Sequence, residues 1–127
     1  MAGNYQKYGK ERYHSDKDYR DKVLAQSREW RASNKKYRRN YDLQRNFGVS
    51  LDFVNNVLKD QDCKCAICGK ELGAEYGGKQ MALDHCHANG HIRGVLCNLC
   101  NMGLGKFKDS IQVLEKAIEY LRRTQRG

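Results

Sequence analysis

Residues 83–101 read LDHCHANGHIRGVLCNLCN, and their reading decides the fold. Asp84, His85, Cys86 and His87 stand in four consecutive positions. Asn89-Gly90 is a turn signal, and the apolar run Ile92–Leu96 follows it. Met81–Cys86 and His91–Leu96 are each too short for a stable helix. With Asn-Gly between them they predict a β-hairpin. The segment after it, from Cys97 to Phe107, predicts the start of a helix interrupted at Gly103 and Gly105. A hairpin running directly into a helix is therefore the centre of the chain.

Working outward, the cysteines come next. Cys97 and Cys100 form one Cys-x-x-Cys pair, Cys65 and Cys68 another, with 28 residues between the pairs. Each pair can offer two thiolates to one ion through a tight turn, and four thiolates complete the tetrahedron that structural zinc prefers. The first residues, MAGNYQKYGK, contain no apolar run, so no signal peptide is expected, and such a chain favours metal over disulfides. A reduced thiol cluster or disulfides would use the same residues. A closed four-cysteine site has no open position, so its ion is expected to tie the hairpin–helix unit to the upstream loop and to do no chemistry. Cys63 and Cys86 are left over: Cys63 could compete as a ligand, and Cys86 reads as a small buried hydrophobe.

Composition limits the rest. The chain has 127 residues, 39% hydrophobic and 31% charged, with no proline and a net charge of +9. A core this small usually needs a staple. No stretch nears the roughly 20 apolar residues of a membrane span, and a cytoplasmic location is expected. Residues 1–50 carry +7 and residues 51–127 only +2. The N-terminal part is thus a basic arm, for which nucleic acid is the natural partner because Lys and Arg displace counterions from phosphates. A solvated basic face would look the same. Residues 1–15 look frayed. Residues 16–46 contain no Gly, and predict one helix or two with a break near Ser33-Asn34. Tyr19, Val23, Trp30, Tyr37 and Tyr41 keep near one helix face, as a packing stripe, a dimer seam or a DNA-facing ridge. Ser50 caps a short helix carrying Leu51, Phe53, Val54, Val57 and Leu58. Asp109 or Ser110 caps a final helix with Ile111, Leu114, Ala117, Ile118 and Leu121 at helical spacing. Two domains are expected: a basic helical arm over 1–46 and a zinc-stapled domain over 47–127.

The remaining residues of the opening stretch suit the cutting of a phosphodiester. That reaction asks for a base to activate water, a divalent metal for the developing charge, and a cation to hold the phosphate. A histidine suits the first role. Asp84 and Asn101 offer the oxygens that Mg²⁺ or Mn²⁺ prefers, and Arg93 suits the third role. Strict alternation would put His85 and His87 on one face of the strand and Asp84 and Cys86 on the other. A bulge or a site over the strand end would bring Asp84 and His85 together. The same residues would also serve as a second zinc site, or as a hairpin with incidental histidines; His91, in the turn, reads as incidental.

The pattern CAICG…LDHCHANGHIRGVLCNLCNMGLGKF resembles the recombination endonuclease VII family, nucleases of the HNH or ββα-metal (His-Me finger) superfamily. The match runs from Cys65 to about Leu121. The resemblance implies a mainly α chain with a small β-hairpin, a ββα-metal core and a structural Zn²⁺ on Cys65, Cys68, Cys97 and Cys100, preceded by basic helices. It implies that Asp84 and Asn101 hold the catalytic Mg²⁺ or Mn²⁺, that His85 is the general base, and that His87 supports the site. Family members often have Asp where this chain has Cys86. They include a resolvase that cuts branched DNA such as Holliday junctions as a dimer with intertwined helices, and simpler nicking enzymes. A homodimer through the N-terminal helices is one expectation that follows. Asn98 also lies near the helix start, but the place of Asn101 directly after the fourth cysteine fits the motif.

The leading expectation is a metal-dependent DNA endonuclease. The first alternative is a non-enzymatic zinc module that binds DNA through the basic arm. A zinc deaminase would need His-x-Glu and a proline before the cysteine pair, which are absent. A protein-binding scaffold would use the stripe from Tyr19 to Tyr41.

Overall fold

The computed structural model describes residues 2–125. They form six helices and two strands: α1 (Ala2–Ser15), α2 (Lys17–Ser33), α3 (Lys35–Phe47), α4 (Leu51–Asp60), β1 (Met81–His85), β2 (Ile92–Cys97), α5 (Asn98–Lys106) and α6 (Ile111–Thr124). The chain divides into two compact units, Met1–Asp42 and Leu43–Gly127. No helix among the described residues is long and apolar enough to cross a membrane.

In the first unit, the segment expected to be frayed is helical from Ala2. Contacts with α2 supply what its propensity lacks. Arg20 of α2 donates from Nη1 to the carbonyls of Tyr13 (3.4 Å) and His14 (3.3 Å), the open end of α1, where a cation also meets the negative end of the helix dipole. Arg12 lies over the Tyr19 ring at 4.4 Å. Asp16 caps α2, and the hydrogen bond from the Tyr19 N–H holds its carboxyl below the usual range. The expected break falls at Asn34, whose backbone N and Nδ2 both donate to the Trp30 carbonyl. Trp30 and Tyr37 meet edge to face at 6.3 Å, and both remain exposed, as does Tyr41.

The second unit is built around the hairpin. Its core is Leu43, Val54, Leu58, Met81, Leu83 and Val95, flanked by Phe47, Leu51, Val57, Leu72 and Ile92. Gly48, at φ +69°, stops α3 in a left-handed turn that a side chain would strain. The Ser50 hydroxyl accepts from the Phe53 N–H at 3.1 Å and starts α4 as expected. That helix buries Val54 and Leu58 and leaves Phe53 exposed.

β1 and β2 pair antiparallel, with Met81 opposite Cys97, Leu83 opposite Val95 and Asp84 opposite Gly94. His85 then pairs with Ile92, so the register shifts and Arg93 is the extra residue of a β-bulge. The outer edge of β2 is closed by a side chain. Gln61, just past α4, donates from Nε2 to the carbonyls of Val95 (2.8 Å) and Lys64 (2.9 Å), and its Oε1 accepts from the Val95 N–H at 2.9 Å. A carboxamide thus stands where a third strand's peptide would. A Cβ on Gly94 would come within 2.8 Å of that Oε1, so a side chain there would push the carboxamide away from its place on β2.

One sequence expectation changes at the C-terminal end, and one choice is settled. α5 runs unbroken through Gly103 and Gly105. Each glycine costs about 1 kcal/mol against alanine, but Leu104 between them packs against Cys65, Leu96 and Cys97, and α5 packs on both strands. Ser110, and not Asp109, caps α6. α6 is amphipathic as expected, yet Ile111, Val113, Ile118 and Leu121 are exposed.

Candidate active site and metal centre

The two CxxC pairs meet at one end of the hairpin. The four Sγ atoms of Cys65, Cys68, Cys97 and Cys100 all lie within 4.8 Å of one another. Cys68 and Cys97 Sγ are 3.7 Å apart, and a tetrahedron with Zn–S bonds near 2.3 Å has edges of about 3.8 Å. The donor set and its spacing therefore fit a zinc ion. Local structure explains the gathering. Cys65 N–H donates to the Lys70 carbonyl and Gly69 N–H to the Cys65 carbonyl, folding the first pair into a tight turn, with Gly69 at φ +74°. Cys97 ends β2 and caps α5, accepting from the Cys100 N–H at 3.4 Å. Ala66 N–H reaches the Val95 carbonyl, which docks the turn on β2.

The thiols do not share one acidity. Burial pushes Cys65 up, but backbone hydrogen bonds at Cys97, Cys68 and Ile67 outweigh it and bring the group down to about 6. Burial, with the neighbouring sulfurs of Cys97, Cys68 and Cys65, pushes Cys100 up to about 12. One negative charge is easy to hold there and the last is hard, which is the condition a divalent cation relieves. Cys63 is outside this group; it is half-buried against the hydrophobic core.

At the other end of the hairpin the bulge breaks the alternation of β2 at Arg93. Asp84 is only 8% exposed. Arg93 binds it with two hydrogen bonds, Nε to Oδ2 at 2.7 Å and Nη2 to Oδ1 at 3.0 Å. Arg93 Nη2 also reaches Asp109 Oδ2 at 3.1 Å. The bond to Asp84 holds the guanidinium still more firmly charged than usual. His85 stacks on His87, centroids 4.8 Å apart and planes within 17°. Phe47 of α3 meets the His85 ring edge-on at 5.1 Å.

Beside these groups lies an open cleft of about 510 Å³ lined by Cys86, His87, Ala88, Arg93, Gly105, Lys108 and Asp109. It touches Arg93, which holds Asp84, and His87, which stacks on His85. Asn101 precedes the cleft residue Gly105 by four positions and so shares its face of α5. Asn98 is engaged elsewhere, its Nδ2 donating to the Lys79 carbonyl. Cys86 is a lining residue and only partly buried, where the sequence reading made it a buried hydrophobe. His91 closes the turn through its backbone, accepting from Cys86 N–H and donating to Asn89 Oδ1. Sequence reasoning did not single out Phe47, Asp109 or Gln61 for the site. Phe47 reads as a helix terminus and Asp109 as a cap, and only tertiary contact reveals their neighbours.

The chain is 35% identical over 78 residues to the Gene 59 protein of Mycobacterium phage D29, covering 61% of this chain and 46% of that one. It is 36% identical over 76 residues to the Gene 59 protein of Mycobacterium phage L5, covering 59% and 44%. It thus spans less than half the length of these relatives. Among solved structures, the ββα-Me type II restriction endonuclease Hpy99I aligns with a TM-score of 0.42 and 35% identity, over 54% of this chain and 41% of that one. A family model described as recombination endonuclease VII matches residues 36–123, more than half of the chain, and the protein belongs to that family.

Proposed function

We propose that this chain is a metal-dependent DNA endonuclease, with a structural Zn²⁺ on Cys65, Cys68, Cys97 and Cys100 and a separate Mg²⁺ or Mn²⁺ on Asp84 and Asn101. Family membership supports the reaction class. The observation that carries the site is the bulge at Asp84/His85, beside which a carboxylate and an imidazole lie at the same end of the hairpin. The donors suit a hard cation: a carboxylate and an amide oxygen. When bound there, the cation supplies Lewis-acid stabilisation of charge on the phosphate and leaving oxygen.

The residues divide the remaining work. His85 removes a proton from the attacking water. Phe47, in a T-shaped contact, and His87, stacked on its face, fix the ring. Arg93 has five N–H donors, and those not used on Asp84 and Asp109 suit a phosphate oxygen. The basic helices, with their exposed Tyr37, Tyr41 and Trp30, hold DNA by phosphate neutralisation and contact with aromatic faces. Branched DNA such as a Holliday junction, a homodimer through these helices and action in the host cytoplasm complete the reading.

The test is a cleavage panel of supercoiled plasmid, a four-way junction and linear duplex with Mg²⁺ or Mn²⁺. His85→Ala should lower cutting by about 10²–10⁴-fold while zinc content and DNA binding persist. Brief EDTA should stop cutting reversibly without stripping the zinc. A wild-type chain that binds these DNAs and cuts none of them would leave a zinc-stabilised DNA-binding module as the answer.

A further inference from the structure

Arg93 touches two carboxylates, and only one of them belongs to the metal site proposed above. Its Nε spends its single hydrogen on Asp84 Oδ2. Its Nη2 has two, one directed to Asp84 Oδ1 and one to Asp109 Oδ2. A divalent cation that takes Asp84 meets a guanidinium already bound to both oxygens of that carboxylate. The two cations repel, and Arg93 must give up at least part of its hold.

The turn between α5 and α6 provides somewhere for it to go. Lys108 and Asp109 are consecutive non-glycine residues at φ +55° and +53°. Left-handed backbone is unfavourable for such residues, and two in succession need a reason. The turn is pinned by Asp109 N–H to the Leu104 carbonyl at 2.9 Å and Lys108 N–H to the Gly105 carbonyl at 3.0 Å. Its outcome is a carboxylate on the cleft wall within hydrogen-bond reach of Arg93. Ser110 does the capping of α6, so Asp109 is not needed for that.

We propose that Asp109 is a positioning residue that retains the Arg93 guanidinium when a divalent cation takes Asp84. This rests on the reading of Asp84 as a metal ligand. Arg93 then serves as an internal counter-ion in the metal-free site and turns onto Asp109 in the loaded one. It stays beside the cleft, so its freed donors face the phosphate.

The probe is Mn²⁺ binding to the zinc-loaded protein, followed by the electron paramagnetic resonance signal of free Mn²⁺, with zinc content and melting midpoint measured for each variant. Asp109→Asn should weaken Mn²⁺ binding about tenfold, because Arg93 keeps Asp84 as its sole carboxylate. Asparagine tolerates the left-handed conformation as aspartate does, so the turn is kept. Arg93→Gln should tighten Mn²⁺ binding by removing the competing cation. In the Arg93→Gln background, Asp109→Asn should change it less than twofold. Equal weakening by Asp109→Asn in both backgrounds would show simple long-range charge and overturn the proposal, as would weaker binding in Arg93→Gln alone. Mn²⁺ binding that ignores Asp84→Asn would sink the metal-site reading as well; binding that depends on Asp84 and ignores Asp109 would sink only this one.

Discussion

The two ends of one hairpin solve the same electrostatic problem in opposite ways. At the Cys97 end, four thiols crowd within 4.8 Å, and what sets their acidity is burial, backbone hydrogen bonds and one another. At the Asp84 end, a buried carboxylate has its own cation, Arg93, held by two hydrogen bonds. The first end could reach its full charge only around a metal, so its folding and metal binding are expected to be coupled. The second end balances its buried carboxylate with a cation of its own and so does not need an added ion to fold. A staple should depend on its metal and a reaction site should survive without it, and the two donor sets differ in that sense.

The largest expected effect tests the staple. Cys97→Ser removes a sulfur that is at once a cluster member, the cap of α5 and a core residue. Structural zinc in small domains contributes about 10–16 kcal/mol, as large as the whole net stability of a typical domain, about 5–15 kcal/mol. Residues 43–127 should lose cooperative melting and bound zinc, as read by circular dichroism and metal analysis. A variant that still melts cooperatively would break the contrast.

The next effect falls on the link between the ends. Gln61→Ala leaves the Val95 N–H without its partner and removes one of the two donors to the Val95 carbonyl. An unsatisfied buried group costs about 1–3 kcal/mol, so the melting midpoint should drop by several degrees with zinc still bound. The smallest effect on stability should come from the reaction end. Asp84→Asn keeps one acceptor for Arg93 and leaves Asp109 in place, so unfolding in denaturant should shift by only about 1 kcal/mol. DNA cutting should nonetheless be lost. A large stability loss would mean that the Asp84–Arg93 pair is itself a staple, and the distinction between the ends would fail.

Much of this molecule is legible in its sequence because the features concerned are local. The hairpin follows from two short runs around Asn-Gly. The break at Asn34 and the cap at Ser50 follow from side chains that compete for nearby backbone groups. The cysteine set follows from spacing, because a CxxC turn leaves its thiols few other arrangements. The reading of α1 as frayed fails because its end is closed by Arg20, six and seven residues away. The reading of α5 as interrupted fails because Leu104 packs between its two glycines. Periodicity in α6 correctly marks one apolar face, but whether that face is buried depends on what else the chain brings against it, and here Ile111 stays 72% exposed.

The sequence by itself determined the hairpin, the caps and each CxxC turn, since each depends on residues a few positions apart, and it named Asp84, His85 and Asn101 as candidates. Tertiary structure decided which groups share a charge. Arg93 faces Asp84 because a bulge shifts the register by one residue. Asp109 joins them because a left-handed turn after α5 returns the chain to the cleft. Gln61 closes β2 from 34 residues away. Those contacts are set by how separate elements pack, and a one-residue change in register would rewrite them all.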